Sequence, residues 1–244
     1  MLEGSKQIVI VGAGIGGLTT ALCLKHFGIN ASVYERSNEV TTAGAGIQLS
    51  PNANRVFSRI GLFDEVSALS RRCKGIKVFD YKSNSQLALF DYMKFKQDAA
   101  FLFCHRADLV SILYAACKKL KIPLHFDKKL EKITNGEVIF SDGNVYSADI
   151  IVGADGLHSN VRKALFDEET PIFTHQVAWR SIVPNSINQD DFSYVTLAPK
   201  RHLVSYPIND GSQLKLVLIK EQNEWQPDGW KLPEDPKVVK EGFK

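Results

Sequence analysis

The stretch Gly12-Ala13-Gly14-Ile15-Gly16-Gly17, directly behind an apolar run at residues 7–11, constrains this chain more than any other feature. A continuous apolar run of that length fits a strand buried on both faces. The glycines match the spacing G-x-G-x-x-G. In that spacing the first glycine permits a tight turn and the second lets a pyrophosphate come against the backbone. The third lets the next helix pack close to the strand. Residues after the turn supply such a helix: Ile15, Leu18, Ala21 and Leu22 share one face, and Lys25 and His26 suit its negative end. Gly28 offers a left-handed stop. Residues 31–34 read as the next strand, and Glu35 follows 18 residues after Gly17. A carboxylate about 20 residues on grips ribose hydroxyls and disfavours a 2′-phosphate, so FAD or NAD is the expected nucleotide. Arg36, beside Glu35, joins Gly12, Gly14, Gly16 and Gly17 as a cofactor-binding candidate.

Further along, Ser50-Pro51 starts a second helix that Gly61 stops, and residues 76–81 and 86–90 read as a hairpin around Ser83-Asn84. A helix is expected over 108–120. Residues 123–152 break into short strands at Asn135-Gly136 and Asp142-Gly143. Ser159 is placed to cap a short helix through Leu165. From 173 the pattern is alternating strand, at 173–183, 192–197, 201–208 and 213–220. Residues 230–244 are polar, with Pro233 and Pro236, and carry no expected element.

The composition suits a folded globular chain, with 44% hydrophobic and 23% charged residues among 244. Its 30 basic and 27 acidic residues interleave, which leaves no nucleic-acid footprint. No apolar run reaches the roughly 20 residues of a membrane span. Cys23, Cys73, Cys104 and Cys117 lack metal-ligand spacing and lie in or beside apolar segments, so no metal site is expected. Reduced thiols and a polar start without signal-peptide layout lead to a cytoplasmic expectation.

Three further segments resemble the flavoprotein aromatic hydroxylases, the salicylate and hydroxybenzoate hydroxylases among them. The first runs from Gly44 through Gly46 to Ala53 and looks like the segment that passes the flavin. The second is His105-Arg106-Ala107-Asp108-Leu109, similar to a His-Arg-x-x-Leu motif whose arginine contacts the cofactor. The third, Gly153-Ala154-Asp155-Gly156 through Ser159 and Val161 to Arg162, matches the Asp-Gly motif implicated in FAD and NAD(P)H binding. Read from its residues alone, Asp155-Gly156 at a strand end lets backbone and carboxylate approach a ribose or pyrophosphate. Arg162 can pair with a phosphate or with a nearby carboxylate. The resemblance implies FAD as cofactor, with NAD(P)H and O₂ as co-substrates, and transfer of one oxygen to an electron-rich ring.

The expected fold is α/β, a Rossmann-like FAD-binding domain joined to a mostly antiparallel β substrate domain. Residues 1–72 and 99–172 are expected in the first, and 73–98 and 173–244 in the second. On the strand His202-Leu-Val-Ser-Tyr206, residues four apart share a face about 13 Å apart. His202 and Tyr206 are the catalytic candidates, His202 as a base for a phenolic substrate. Trp179 is expected in the core. A small phenolic acid is the expected substrate, and the oligomeric state stays open. The family's second flavin motif, a Gly-Asp pair downstream of the substrate sheet, has no counterpart here. The late glycines are Gly211, Gly229 and Gly242, none in that context. The expectation is therefore a chain that stops short of the full fold and holds FAD weakly or not at all. A flavin reductase on the same scaffold and a non-catalytic nucleotide-binding remnant stay open.

Overall fold

The computed structural model describes residues 6–40, 46–95, 100–166, 171–225 and 235–243. In chain order they form β1 (Ile8–Val11), α1 (Ile15–His26), β2 (Ser32–Tyr34), β3 (Gly46–Leu49), α2 (Pro51–Arg59), α3 (Phe63–Ala68), β4 (Ser70–Arg72), β5 (Gly75–Asp80), β6 (Gln86–Asp91) and α4 (Tyr92–Phe95). Next come β7 (Leu102–His105), α5 (Arg106–Lys119), β8 (Leu124–His125), β9 (Leu130–Thr134), β10 (Glu137–Phe140), β11 (Val145–Ser147), β12 (Ile150–Gly153) and α6 (Asn160–Leu165). The remainder is β13 (Gln176–Pro184), β14 (Phe192–Ala198), β15 (Arg201–Ile208), β16 (Gln213–Glu221) and α7 (Pro236–Gly242).

Compactness divides the chain into two units, 1–42 with 107–171 and 43–106 with 172–244. In the first, four parallel strands stand in the order β12-β1-β2-β8. All four residues of β1 are buried, as a central parallel strand requires. Leu18, Ala21 and Leu22 of α1 and Leu109, Leu113 and Cys117 of α5 are buried too. The Cys117 thiol donates to the Leu18 carbonyl at 3.8 Å, which ties the two helices. A three-stranded antiparallel sheet, β11-β10-β9, adds Leu130, Val138 and Phe140 to a core shared with Val9, Val11 and Tyr34. Its β9–β10 turn is the expected Asn135-Gly136, with both residues at positive φ, 48° and 77°.

The second unit is built on a six-stranded sheet in the order β13-β16-β15-β14-β5-β6. Its pairings are antiparallel except β14 with β5. A smaller sheet, β3-β7-β4, supplies Phe103, which forms a core with Tyr206, Ile208 and Cys73. That small sheet explains a difference from the expected division at 72 and 99. Strands β3 and β4 both pair with β7, so the whole of 43–106 goes with the large sheet. The end of the chain also differs from its featureless expectation. Asp235 accepts the Lys237 N–H at 2.8 Å and Pro236 takes the first helical position, which starts α7. Trp179 meets Phe243, just past α7, edge-on with centroids 6.2 Å apart. Among the described residues no helix is long and apolar enough to cross a membrane.

Candidate functional site

In the first unit the carboxyl ends of β1, β2 and β12 carry the expected residues to one edge of the sheet. Val11 pairs with Tyr34 on one side and Gly153 on the other, so the glycine turn, Glu35 and Asp155 all leave the sheet there. Parallel α/β sheets bind their ligands at this edge.

The glycines of the turn divide by what surrounds them. Gly12 has φ +104°, and a Cβ there would lie 2.4 Å from the Ala154 carbonyl oxygen. A Cβ on Gly17 would lie 1.8 Å from the Gly12 oxygen. These two are internal, since backbone meets backbone at each. Gly14 and Gly16 have no atom within 4 Å of where a Cβ would stand. Gly14 is the N-cap of α1, no side chain caps it, and no acidic residue sits in the first turn. The first N–H groups of a helix have no partner within it, and its dipole end is positive. An open, uncapped helix start is suited to a pyrophosphate.

Glu35 stands beside it. Its carboxylate accepts the Ala13 N–H at 2.7 Å and the Ser37 N–H at 3.0 Å, one on each oxygen. The group is thus fastened to the mouth of the turn. A carboxylate offers about four acceptor positions, so capacity is left for ribose hydroxyls. Arg36 is exposed. The adenosine diphosphate half of FAD fits this arrangement: open space at Gly14, free amide donors, and a positioned acceptor.

Asp155 has a further engagement. Its carboxylate accepts the Ser159 hydroxyl at 2.5 Å and the Asn160 and Val161 N–H groups at 2.7 and 3.2 Å. Ser159 caps α6 as expected, accepting the Arg162 N–H at 3.0 Å. Both Asp155 oxygens are turned onto the start of α6, and Gly156 follows with φ +82°. The Arg162 guanidinium donates to the Leu157 carbonyl at 2.6 Å and does not pair with Asp155. Asp155→Ala is expected to strip α6 of this support and lower stability by about 1–3 kcal/mol. A urea midpoint that falls with unchanged slope is the check. A groove of about 650 Å³ lies at the opposite, amino-terminal end of β1, lined by Ile8, Asn30, Ser32 and Lys121 among others. It holds none of the expected site residues.

In the second unit Gly46 opens β3 and Arg106 follows β7 as the first residue of α5. His202 and Tyr206 share a face of β15, since the register runs unbroken between them. His202 stands opposite Leu197 and Ile219. Tyr206 is buried and stacks on Phe103 at 4.8 Å. Burial pushes its hydroxyl up to about 12, against the pull of the Arg180 charge. Opposite it is a residue the sequence reading passed over, Lys215. Lys215 is 1% exposed, and its ammonium has no hydrogen-bond partner among the described residues. Burial first, and then Arg180, hold it down to about 8. Its place follows from the hairpin register. The hairpin closes Ile208 on Gln213, and two steps back along each strand reach Tyr206 and Lys215.

The chain is also similar to known proteins. The chain is 31% identical to a 3-amino-4-hydroxybenzoate 2-monooxygenase of Streptomyces cremeus over 96% of its own length and 61% of the relative's. It is 31% identical to a 6-hydroxynicotinate 3-monooxygenase of Bordetella bronchiseptica over 84% of its length and 56% of the relative's. The solved tetrameric form of 2-methyl-3-hydroxypyridine-5-carboxylic acid oxygenase superposes with a TM-score of 0.78 at 25% identity, over 98% of this chain and 64% of that one. The chain thus spans about three-fifths of the length of the curated relatives it matches. From residue 5 to residue 241 it also fits the sequence pattern of the FAD binding domain family, and it belongs to that family.

Proposed function

We propose that this chain serves the FAD-dependent, NAD(P)H-consuming hydroxylation of a small phenolic aromatic by O₂. The observation that carries the reading is the open, uncapped start of α1 with Glu35 fastened beside it. The unit of 1–42 and 107–171 takes the nucleotide half of the cofactor, with Asp155, Gly156, Arg162 and Arg36 nearby in sequence or on the same edge. Within the unit of 43–106 and 172–244, Gly46 and Arg106 are further cofactor-contact candidates, and the large sheet carries the substrate candidates His202 and Tyr206. The names of the relatives, which act on a hydroxybenzoate and a hydroxynicotinate, support a substrate of this kind.

FAD, where bound and reduced, would supply the oxygen chemistry. The chain's own residues bind, orient and move protons. His202 accepts the phenol proton, because a phenolate ring is the better nucleophile. Tyr206 keeps its proton at neutral pH, since burial holds it near 12. Its hydroxyl therefore donates a hydrogen bond and orients the ring.

The test supplies the purified chain with FAD, NADH or NADPH, and 3-hydroxybenzoate, and follows O₂ uptake and hydroxylated product. Product formed with NAD(P)H consumption would support the reading. His202→Ala is expected to lower the rate about 10²- to 10⁴-fold with FAD affinity unchanged. Consumption that ends in hydrogen peroxide without product would point to a reductase. Absence of bound FAD would point to a non-catalytic chain.

A further inference from the structure

Lys215 lies in the middle of β16, and its ammonium is buried without a hydrogen-bond partner among the described residues. A buried charge is kept only where something pairs with it, and none of the described residues does so here by hydrogen bond. Its position is shared with the proposed substrate residues. Tyr206 stands directly across from it on β15, so both point to one face of the sheet. Gly46 closes over the pair. The space a Cβ would claim on Gly46 lies 2.8 Å from the Tyr206 hydroxyl and 3.2 Å from Lys215 Cγ. A second cation belongs to this face. Arg180 of β13 pairs with Val217, two residues on from Lys215, and so is its diagonal neighbour.

We infer that Lys215 is a specificity-determining residue whose ammonium binds the carboxylate of an aromatic acid, with the ring laid along Tyr206. This deepens the function proposed above and rests on it. A ring carboxylate is anionic at neutral pH, whereas a phenol of ordinary acidity is not, so the carboxylate is the group a buried ammonium selects. The depressed affinity of Lys215 for its proton agrees with a cation that has no counter-charge among the described residues until substrate arrives.

The test uses the full chain supplied with FAD and calorimetric titration with 3-hydroxybenzoate and with 3-hydroxybenzamide, which keeps the ring and hydroxyl but loses the charge. Lys215→Met and Lys215→Gln are compared, with circular dichroism melts confirming that each is folded. Loss of a hydrogen bond to a charged group is expected to weaken benzoate binding about 10- to 100-fold in both variants. Benzamide affinity is expected to change less than about twofold. The ionisable neighbours on this face are Tyr206 and His202 of β15 and Arg180 of β13, with Cys104 of β7 beside Tyr206. Benzoate affinity of the parent chain is expected to fall as pH rises through about 8, with the Met variant lacking that step. Unchanged benzoate affinity in both folded variants would overturn the role of Lys215 and leave the aromatic-substrate reading standing. A parent chain that binds neither ring would overturn both.

Discussion

Adding one methyl group at Gly17 is expected to unfold the first unit, while the same methyl group at Gly14 leaves it folded. At Gly17 the new atom would sit 1.8 Å from the Gly12 carbonyl oxygen, and backbone stands on both sides of that contact. Relief requires α1 to move off β1, which breaks the close packing of Leu18 and Leu22 against the sheet. Overpacking costs about 1–3 kcal/mol where side chains can adjust, and more where they cannot. Alanine's better helix propensity returns only about 1 kcal/mol. Gly17→Ala is thus expected to lose at least ~3 kcal/mol, seen as a collapsed denaturant midpoint. Gly14 has φ −74° and open space around it, so Gly14→Ala is expected to stay within about 1 kcal/mol of the parent. Equal losses at both sites would show that the turn is not packed as described.

The second large effect has the opposite sign. Lys215→Met is expected to stabilise the chain at neutral pH. The ammonium titrates near 8 in the folded state against an ordinary value of 10.5. At 1.36 kcal/mol per pKa unit, that burden is on the order of 3 kcal/mol. The sign follows from proton counts. Between pH 8 and 10.5 the unfolded chain holds a proton on Lys215 that the folded chain lacks, so stability rises with pH across that window. Below 8 both states are protonated and the full burden is present. The gain from Lys215→Met should therefore be largest below pH 8 and shrink towards pH 10.5, read as urea midpoints at fixed temperature. A Met variant less stable than the parent at pH 7 would mean that a partner satisfies this ammonium. An ammonium without a hydrogen-bond partner among the described residues, on a face that also carries Tyr206, His202 and Arg180 beside Val204, Val217 and Ile219, suits a ligand-binding role better than a structural one.

What the sequence disclosed follows the range of the interactions. β1, the glycine turn and α1 were legible because each is a local pattern: an apolar run, fixed glycine spacings and helical periodicity. The Asn135-Gly136 turn and the Ser159 cap were legible for the same reason. The division of the chain was less so. Gly46–Leu49 and Ser70–Arg72 are short strands whose allegiance depends on pairing with Leu102–His105, which no local signal specifies. Asp155 shows a different limit. Its motif indicated a ligand, yet its carboxylate also caps α6, a role readable only with Ser159 and Asn160 folded beside it. Lys215 was hidden by alternation. In Gln-Leu-Lys-Leu a lysine reads as the solvent side of a strand, but β3 covers that side at Gly46.

The central claim is that a nucleotide diphosphate lies on the open start of α1 between Gly14 and Glu35. Equilibrium dialysis of ADP against the parent chain and against folded Gly14→Val tests it most directly, because ADP needs only that turn and carries no flavin chemistry. The account predicts saturable ADP binding that FAD displaces, weakened at least about tenfold once a valine side chain fills the space above the amides. ADP bound equally well by the Val variant, or not displaced by FAD, would contradict it.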